Sequence, residues 1–192
     1  MVIETLEIAG FASALRSLRL PFGKEPRSDI SFRWDESAEG NRKLVYGGSV
    51  RVDEKDIMLL RNLVRRGDGH AKPLRGIVAY ARITAPLYWW YDLETYRIGH
   101  ERLFSTSTMN DECRGLRGEE LQRVKGAIPF GHEHTKVDMF SYQCLRRIVI
   151  QRHDHRLPEF HQFVEWVRTL PFAKELIFDG SGVSAYSEEE AL

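Results

Sequence analysis

Residues 84–109 read TAPLYWWYDLETYRIGHERLFSTSTM, and how they are read decides how the chain folds. Four aromatics in a row, Tyr88, Trp89, Trp90 and Tyr91, run into a dense set of charges and then into Ser105-Thr106-Ser107-Thr108. At about 100° per residue, four adjacent side chains cover most of a helix circumference, and on a strand they would cover both faces. The segment therefore cannot wet one side and bury the other. It is enclosed nearly all round, or one side lines a pocket or a subunit interface. Large rings beside charges and hydroxyls are the chemistry of a small-molecule site.

Upstream, Gly76–Thr84 is rich in β-formers, and Pro86 suits the first position of a helix running to Tyr96, which Gly99 breaks. Before it, Asp53 is placed to cap a helix through Ile57, Leu60, Leu63 and Val64, with Asp56 in the capping-box region and Gly67 as the stop. His70 to Pro73 forms a turn. Residues 2–8 suit a first strand, Phe11–Leu20 an amphipathic helix ended by Pro21, and Lys43–Val52 a strand or hairpin arm. Residues 21–41 are polar and read as one long loop.

Downstream, His100–Gly118 is expected to be loop and Glu119–Lys125 a short helix. Val137 to about His153 reads as one strong helix with Phe140, Cys144, Leu145, Ile148 and Val149 on its buried stripe. Pro158 opens another, with Phe160, Phe163, Val164 and Val167 at helical spacing, and Pro171 ends it. Residues 181–192 form a small, acidic tail that frays. The expected class is α+β, a small sheet packed with several helices, as one domain over 1–180.

At 192 residues, 42% apolar and 29% charged, the composition fits one soluble domain with a sizeable core. No apolar run reaches the roughly 20 residues of a membrane span, and MVIETLEIAG lacks the features of a signal peptide. Zero net charge, 28 basic against 28 acidic residues, argues against generic nucleic-acid binding. Of the bases 21 are Arg and 7 Lys, which suits bidentate contacts to carboxylate or phosphate as well as a codon bias. Cys113 and Cys144 provide neither a disulfide framework nor metal spacing, and a reducing cytoplasm is the expected compartment.

The order of elements resembles the flavin-dependent thymidylate synthases. That family has a His after a turn, then a strand, then a helix with an RHRxxSxNExSxRY-type motif, and later a helix ending in a key Arg. Here His70 follows Gly67-Asp68-Gly69, the strand is Gly76–Thr84 and the helix Pro86–Tyr96. The later helix, CLRRIVIQRHDH from Cys144 to His155, is similar to the family's L-x-N-L-x-x-F-L-x-x-R and places Arg152 at the arginine that contacts the pyrimidine nucleotide. A gap-free placement sets Trp90-Tyr91-Asp92 where the family has Arg-His-Arg, with Arg97, His100 and Arg102 as the nearest bases. Ser105 or Ser107 falls near the Ser-x-Arg-Tyr end, and Met109 stands where the Tyr would be. Leu157-Pro158-Glu159-Phe160 replaces the family's Ala-Gln-x-Glu step. The chain also resembles uncharacterised phage and mobile-element proteins that share an APLYWW…TY-x-x-G…STM core.

The resemblance implies a homo-oligomer that builds its site across subunits. It implies a pyrimidine nucleotide held by Arg152, Arg97, Ser105 and Ser107, and FAD or a similar planar anion near His70, Trp90 and Tyr91. The implied activity is one-carbon transfer to a pyrimidine nucleotide. The alternative is a non-catalytic phage or mobile-element binding protein on the same scaffold, in the host cytoplasm.

Each group also has a plainer reading. Arg152 continues an apolar stripe, so it meets a ligand, or it offsets its helix dipole and extends into water. Glu94 and Arg97 would pair at i, i+3 if the helix persists that far. The hydroxyl tract holds a phosphate or makes a Ser/Thr turn. His132-Glu133-His134 in a loop and His153-Asp154-His155 at a helix end lack zinc-helix spacing and predict no metal site. Cys144 reads as core.

Overall fold

The computed structural model describes residues 1–24, 28, 33–35 and 43–45 (backbone only for both strands), 52–108 and 113–186. Strands β1 (Val2–Ala9), β4 (Val78–Pro86), β5 (His100–Ser105) and β6 (Glu133–Ser141) make an antiparallel sheet in the order β1-β4-β6-β5. A separate ribbon pairs β2 (Arg33–Asp35) with β3 (Lys43–Val45). The helices are α1 (Phe11–Ser17), α2 (Glu54–Arg65), α3 (Leu87–Leu93), α4 (Gly118–Gly126), α5 (Tyr142–Arg152) and α6 (Pro158–Arg168). The expected α+β architecture is what forms.

The core follows from side-chain size. On the central strand β4 the inward positions are Ala79, Ala81, Ile83 and Ala85, all fully buried. Small residues there let bulky helix side chains approach the sheet. Phe163 and Trp166 of α6 pack on Phe140 of β6, and Trp89 of α3 packs on Phe160 and Phe163. Trp166 also donates from Nε1 to Thr5 Oγ1 at 2.9 Å, which ties α6 across to β1. Each such side chain contributes about 1.5–3 kcal/mol when taken out of water.

Several helix ends lie where the sequence puts them. Asp53 caps α2 by accepting from Lys55 N at 2.8 Å, and Pro158 opens α6. Asp56 does not complete a capping box. It is fully buried, where its carboxylate takes Arg19 Nε at 2.7 Å and Ser28 N and Oγ at 2.8 Å each.

Four expectations are corrected. The helix expected from Val137 to His153 is strand β6 followed by α5. Residues 134, 136, 138 and 140 alternate inward with period two, and Ser141 Oγ then accepts from Cys144 N at 3.2 Å to start the helix. The expected loop from His100 begins with edge strand β5, paired to β6. Pro86 ends β4 and is the N-cap of α3, not its first helical residue. Glu94 and Arg97 do not pair along a helix, since α3 stops at Leu93. The expected loop over 21–41 and strand over 43–52 lie mostly outside the described residues. Their described parts include a 3-10 turn at Leu20–Phe22, Ser28 on Asp56 and the β2–β3 pairing.

Two glycines are required by close approach. Gly99 has φ +80°, and a Cβ there would lie 2.3 Å from Ser141 Oγ. Gly10, at φ +88°, would bring its Cβ to 1.7 Å from the Gly76 carbonyl. At the C-terminal end, Asp179 receives Arg61 and Arg65 of α2, while Arg146 of α5 donates to the Asp179 carbonyl at 2.9 Å. Part of the segment expected to fray is held: Arg168 donates to Ser184 O, and Lys174 to Tyr186 OH.

Candidate functional site

Helix α3 carries the four aromatics, and the structure gives each a different fate. Trp89 is fully buried against Trp90, Phe160 and Phe163. Trp90 is 1% exposed, and its Nε1 donates to Ala85 O and His134 O, both at 3.1 Å. Tyr88 donates to Glu159 Oε1 at 2.5 Å. Tyr91 stays 65% exposed and packs on exposed Phe130, ring centroids 5.3 Å apart. Of the two rings expected to stack on a ligand, Tyr91 is therefore the open one. The Trp90 face carries Lys136 Nζ at 4.4 Å and the Arg102 guanidinium at 5.4 Å.

Those two cations belong to a charged cluster on the inner sheet face. The register sets Arg102 opposite Asp138 and His100 opposite Phe140. Asp138 is fully buried; its Oδ2 accepts from His100 Nε2 at 2.6 Å, and Arg102 Nε lies 3.4 Å from Oδ1. The His100 ring stacks on Phe140 at 4.5 Å and 9°. Glu94 follows the last residue of α3 and reaches in from solvent. Its Oε1 takes Arg102 at 2.7 Å and Lys136 at 3.3 Å. Burial alone would raise the Glu94 carboxyl, but Arg102 and Lys136 outweigh it and hold the group below its usual range. Burial, then Arg102, pulls the Lys136 ammonium down. His134 is also pulled down, by burial and then by His132 and Lys136.

The remaining sequence-derived candidates do not converge. Arg152 donates from Nε to Tyr96 OH at 3.0 Å and lies over the Tyr96 and Phe160 rings at 5.6 and 5.0 Å. Its partner is thus aromatic and internal. Arg97 is exposed beyond α3. Ser105 ends β5 and is exposed, as is Ser107. The tract between and beyond them is tied down. Thr106 N donates to Thr135 O at 2.8 Å, Thr135 N donates to Thr106 Oγ1 at 3.2 Å, and Lys125 donates to Thr108 Oγ1.

His70 lies elsewhere. It borders a cleft of about 600 Å³ between α1, the end of α2 and the 3-10 turn Lys72–Arg75. Leu18, Pro21, Phe22, Leu63 and Pro73 give this cleft apolar walls, and Arg66, His70 and Lys72 border it with bases. Arg66 and Lys72 were not foreseen, because each looks like an ordinary surface base in sequence. Glu94, Arg102, Lys136 and Asp138 were not foreseen as one cluster. The one signal was the alternation His134, Lys136, Asp138, Phe140.

Among the described residues no three His, Cys, Asp or Glu side chains come together to hold an ion. Cys144 is buried, and burial pushes its thiol up to about 11, as expected of core. No helix among the described residues is long and apolar enough to cross a membrane.

No family model and no curated protein sequence matches the chain. Its fold is similar to that of solved flavin-dependent thymidylate synthases. One is the Helicobacter pylori enzyme ThyX complexed with FAD and dUMP: TM-score 0.63 and 13% identity, over 93% of this chain and 99% of that one. A second structure of ThyX from Helicobacter pylori with FAD and dUMP has TM-score 0.61 and 13% identity, over 95% and 100%. At that identity the likeness establishes the fold.

Proposed function

We propose that this thymidylate-synthase-like scaffold binds a planar anion, a pyrimidine nucleotide or a flavin or both, at the cleft bordered by His70. One observation carries the reading: an apolar-walled cleft of about 600 Å³ with three bases at its border. That volume lies in the range of small-molecule sites, and the mix of apolar wall and few polar groups is their usual character. Arg66, His70 and Lys72 hold phosphate oxygens, and Phe22 and Pro21 cover the ring. These residues fit FAD as the fold likeness suggests it, and a bound flavin would supply hydride transfer. One-carbon transfer to the nucleotide is the activity proposed, in the cytoplasm.

Tyr91, Arg97, Ser105 and Ser107 are exposed and do not line this cleft among the described residues. In the proposed homo-oligomer they serve the cleft of a neighbouring protomer, and Arg152 acts on the nucleotide through Tyr96. Apolar Leu103 and Phe104, 54% and 79% exposed on edge strand β5, support such an assembly. The rival reading, a non-catalytic interaction protein of phage or mobile-element type, is favoured by the exposed Tyr91–Phe130 pair.

The test is the visible spectrum of the purified protein, with thermal shifts in FAD and dUMP. Flavin absorbance, or a shift that His70→Ala and Arg66→Ala weaken, is the expected result. A colourless protein that neither ligand stabilises overturns the proposal. A monomer in solution removes the part of it that spans subunits.

A further inference from the structure

We propose that Arg102 and Lys136, over the Trp90 ring, form an oxyanion seat that the chain's own Glu94 closes, and that the carboxylate or phosphate of a small molecule displaces Glu94 there. The seat is separate from the His70 cleft and does not depend on it.

Charge comes first. Asp138 is fully buried, hydrogen-bonded to His100 through Oδ2 and 3.4 Å from Arg102 Nε at Oδ1, which has no hydrogen-bond partner among the described residues, so it is a fixed counter-charge. Arg102 and Lys136 bring two positive charges against that one. Without Glu94 a unit of positive charge stays uncovered on a surface where the Lys136 side chain is only 8% exposed. Uncompensated charge in such a place is costly, so an anion is required. Glu94 supplies it loosely: a single oxygen, Oε1, serves both cations, and its 3.3 Å contact to Lys136 exceeds the 2.7–2.9 Å of a strong charge-assisted bond.

The mouth is built to exchange that anion. The Glu94 side chain is 44% exposed and Arg102 32%, whereas Lys136 and Asp138 are enclosed. Glu94 comes just after the last residue of α3, so its side chain can turn to water without loss of a core contact. A second observation also points to a ligand. His134, 6% exposed and on the same inner face of β6 as Lys136, has its Nε2 buried with no hydrogen-bond partner among the described residues. The same residue's carbonyl takes the Trp90 indole, so it borders the same ring. A buried polar atom without a partner is rare in native proteins. A bound oxyanion provides what Glu94 Oε1 does not: a separate oxygen for Arg102 and for Lys136, and in a phosphate a third for His134 in its Nε2–H tautomer.

The experiment measures phosphate and acetate binding at constant ionic strength, by calorimetry and thermal shift, on the wild type, Glu94→Gln and Glu94→Gln/Lys136→Met. Removing the tethered competitor raises the competent fraction, so Glu94→Gln should bind at least about tenfold tighter than wild type. Its melting temperature should rise with the anion, and Lys136→Met should abolish the gain. A response to phosphate alone assigns a phosphate ligand, and one to acetate alone a carboxylate. Equal affinity of wild type and Glu94→Gln, or a gain that survives Lys136→Met, overturns the proposal and leaves the His70 cleft reading untouched.

Discussion

Replacing Asp138 by Asn should destabilise the protein by about 3 kcal/mol. Asp138 is fully buried, and its two oxygens face His100 Nε2 at 2.6 Å and Arg102 Nε at 3.4 Å. Breaking a buried charged pair from one side costs about 3–5 kcal/mol, because the partner stays buried and uncompensated. Two features put the loss at the lower end. Asn keeps one acceptor oxygen for His100, and Arg102 is a third exposed, so it can relax toward water. His100→Phe should cost less, about 1.5–3 kcal/mol, since it removes one hydrogen bond to a charged group and keeps a ring against Phe140. The Asp138→Leu/His100→Phe double variant should then cost less than the sum of its singles, a coupling of about 0.5–3 kcal/mol. Urea denaturation followed by tryptophan fluorescence reads all of these, because Trp89 and Trp90 are buried only in the native state. For a domain of this size 3 kcal/mol lowers the melting temperature by about 6–12 °C. Asp138→Asn within about 0.5 kcal/mol of wild type would refute the reasoning, as would strict additivity.

Acid sensitivity should pass through Asp179. The hydrogen bonds from Arg61 and Arg65 hold its carboxyl well below the usual range, against the opposing effect of burial. A lowered native pKa means the stabilisation is full above the unfolded value, about 3.9, and is lost as pH falls through and below it. Asp179→Asn should therefore flatten the urea midpoint between about pH 5 and 2, and an acid limb identical to wild type would count against the clamp. Gly99→Ala should cost more than Gly67→Ala. Both glycines have positive φ, worth about 1–2 kcal/mol for Ala, but only at Gly99 does a Cβ collide, 2.3 Å from Ser141 Oγ. Equal melting temperatures for the two variants would show that the close approach to Ser141 is not limiting.

Much of the fold was legible because its signals are local. Asp53, Pro158 and the apolar stripe of α6 act over a few residues and mark that helix and the start of α2. Trp89 and Cys144 are core because nothing in their immediate neighbourhood could leave them wet. The strand–helix boundary at Ser141 was not legible. An inward row normally reads as apolar, and this one is His134, Lys136, Asp138 and Phe140, so its period of two was masked by charge. The half-buried outer row of Val137 and Met139 then lent the segment a helical look.

The candidate site divides the same way. Sequence pointed to the aromatic helix and to His70, and it established the α+β class, but it read β6 and α5 as one helix and β5 as loop. It did not show which ring stays open, or what Arg152 and Glu94 touch. Those outcomes depend on partners remote in sequence: His100 meets Asp138 across 38 residues, and Arg152 meets Tyr96 across 56. A buried charge takes whatever counter-charge the sheet register brings beside it. That register, not the local pattern of residues 84–109, set Arg102 and Lys136 over the Trp90 ring.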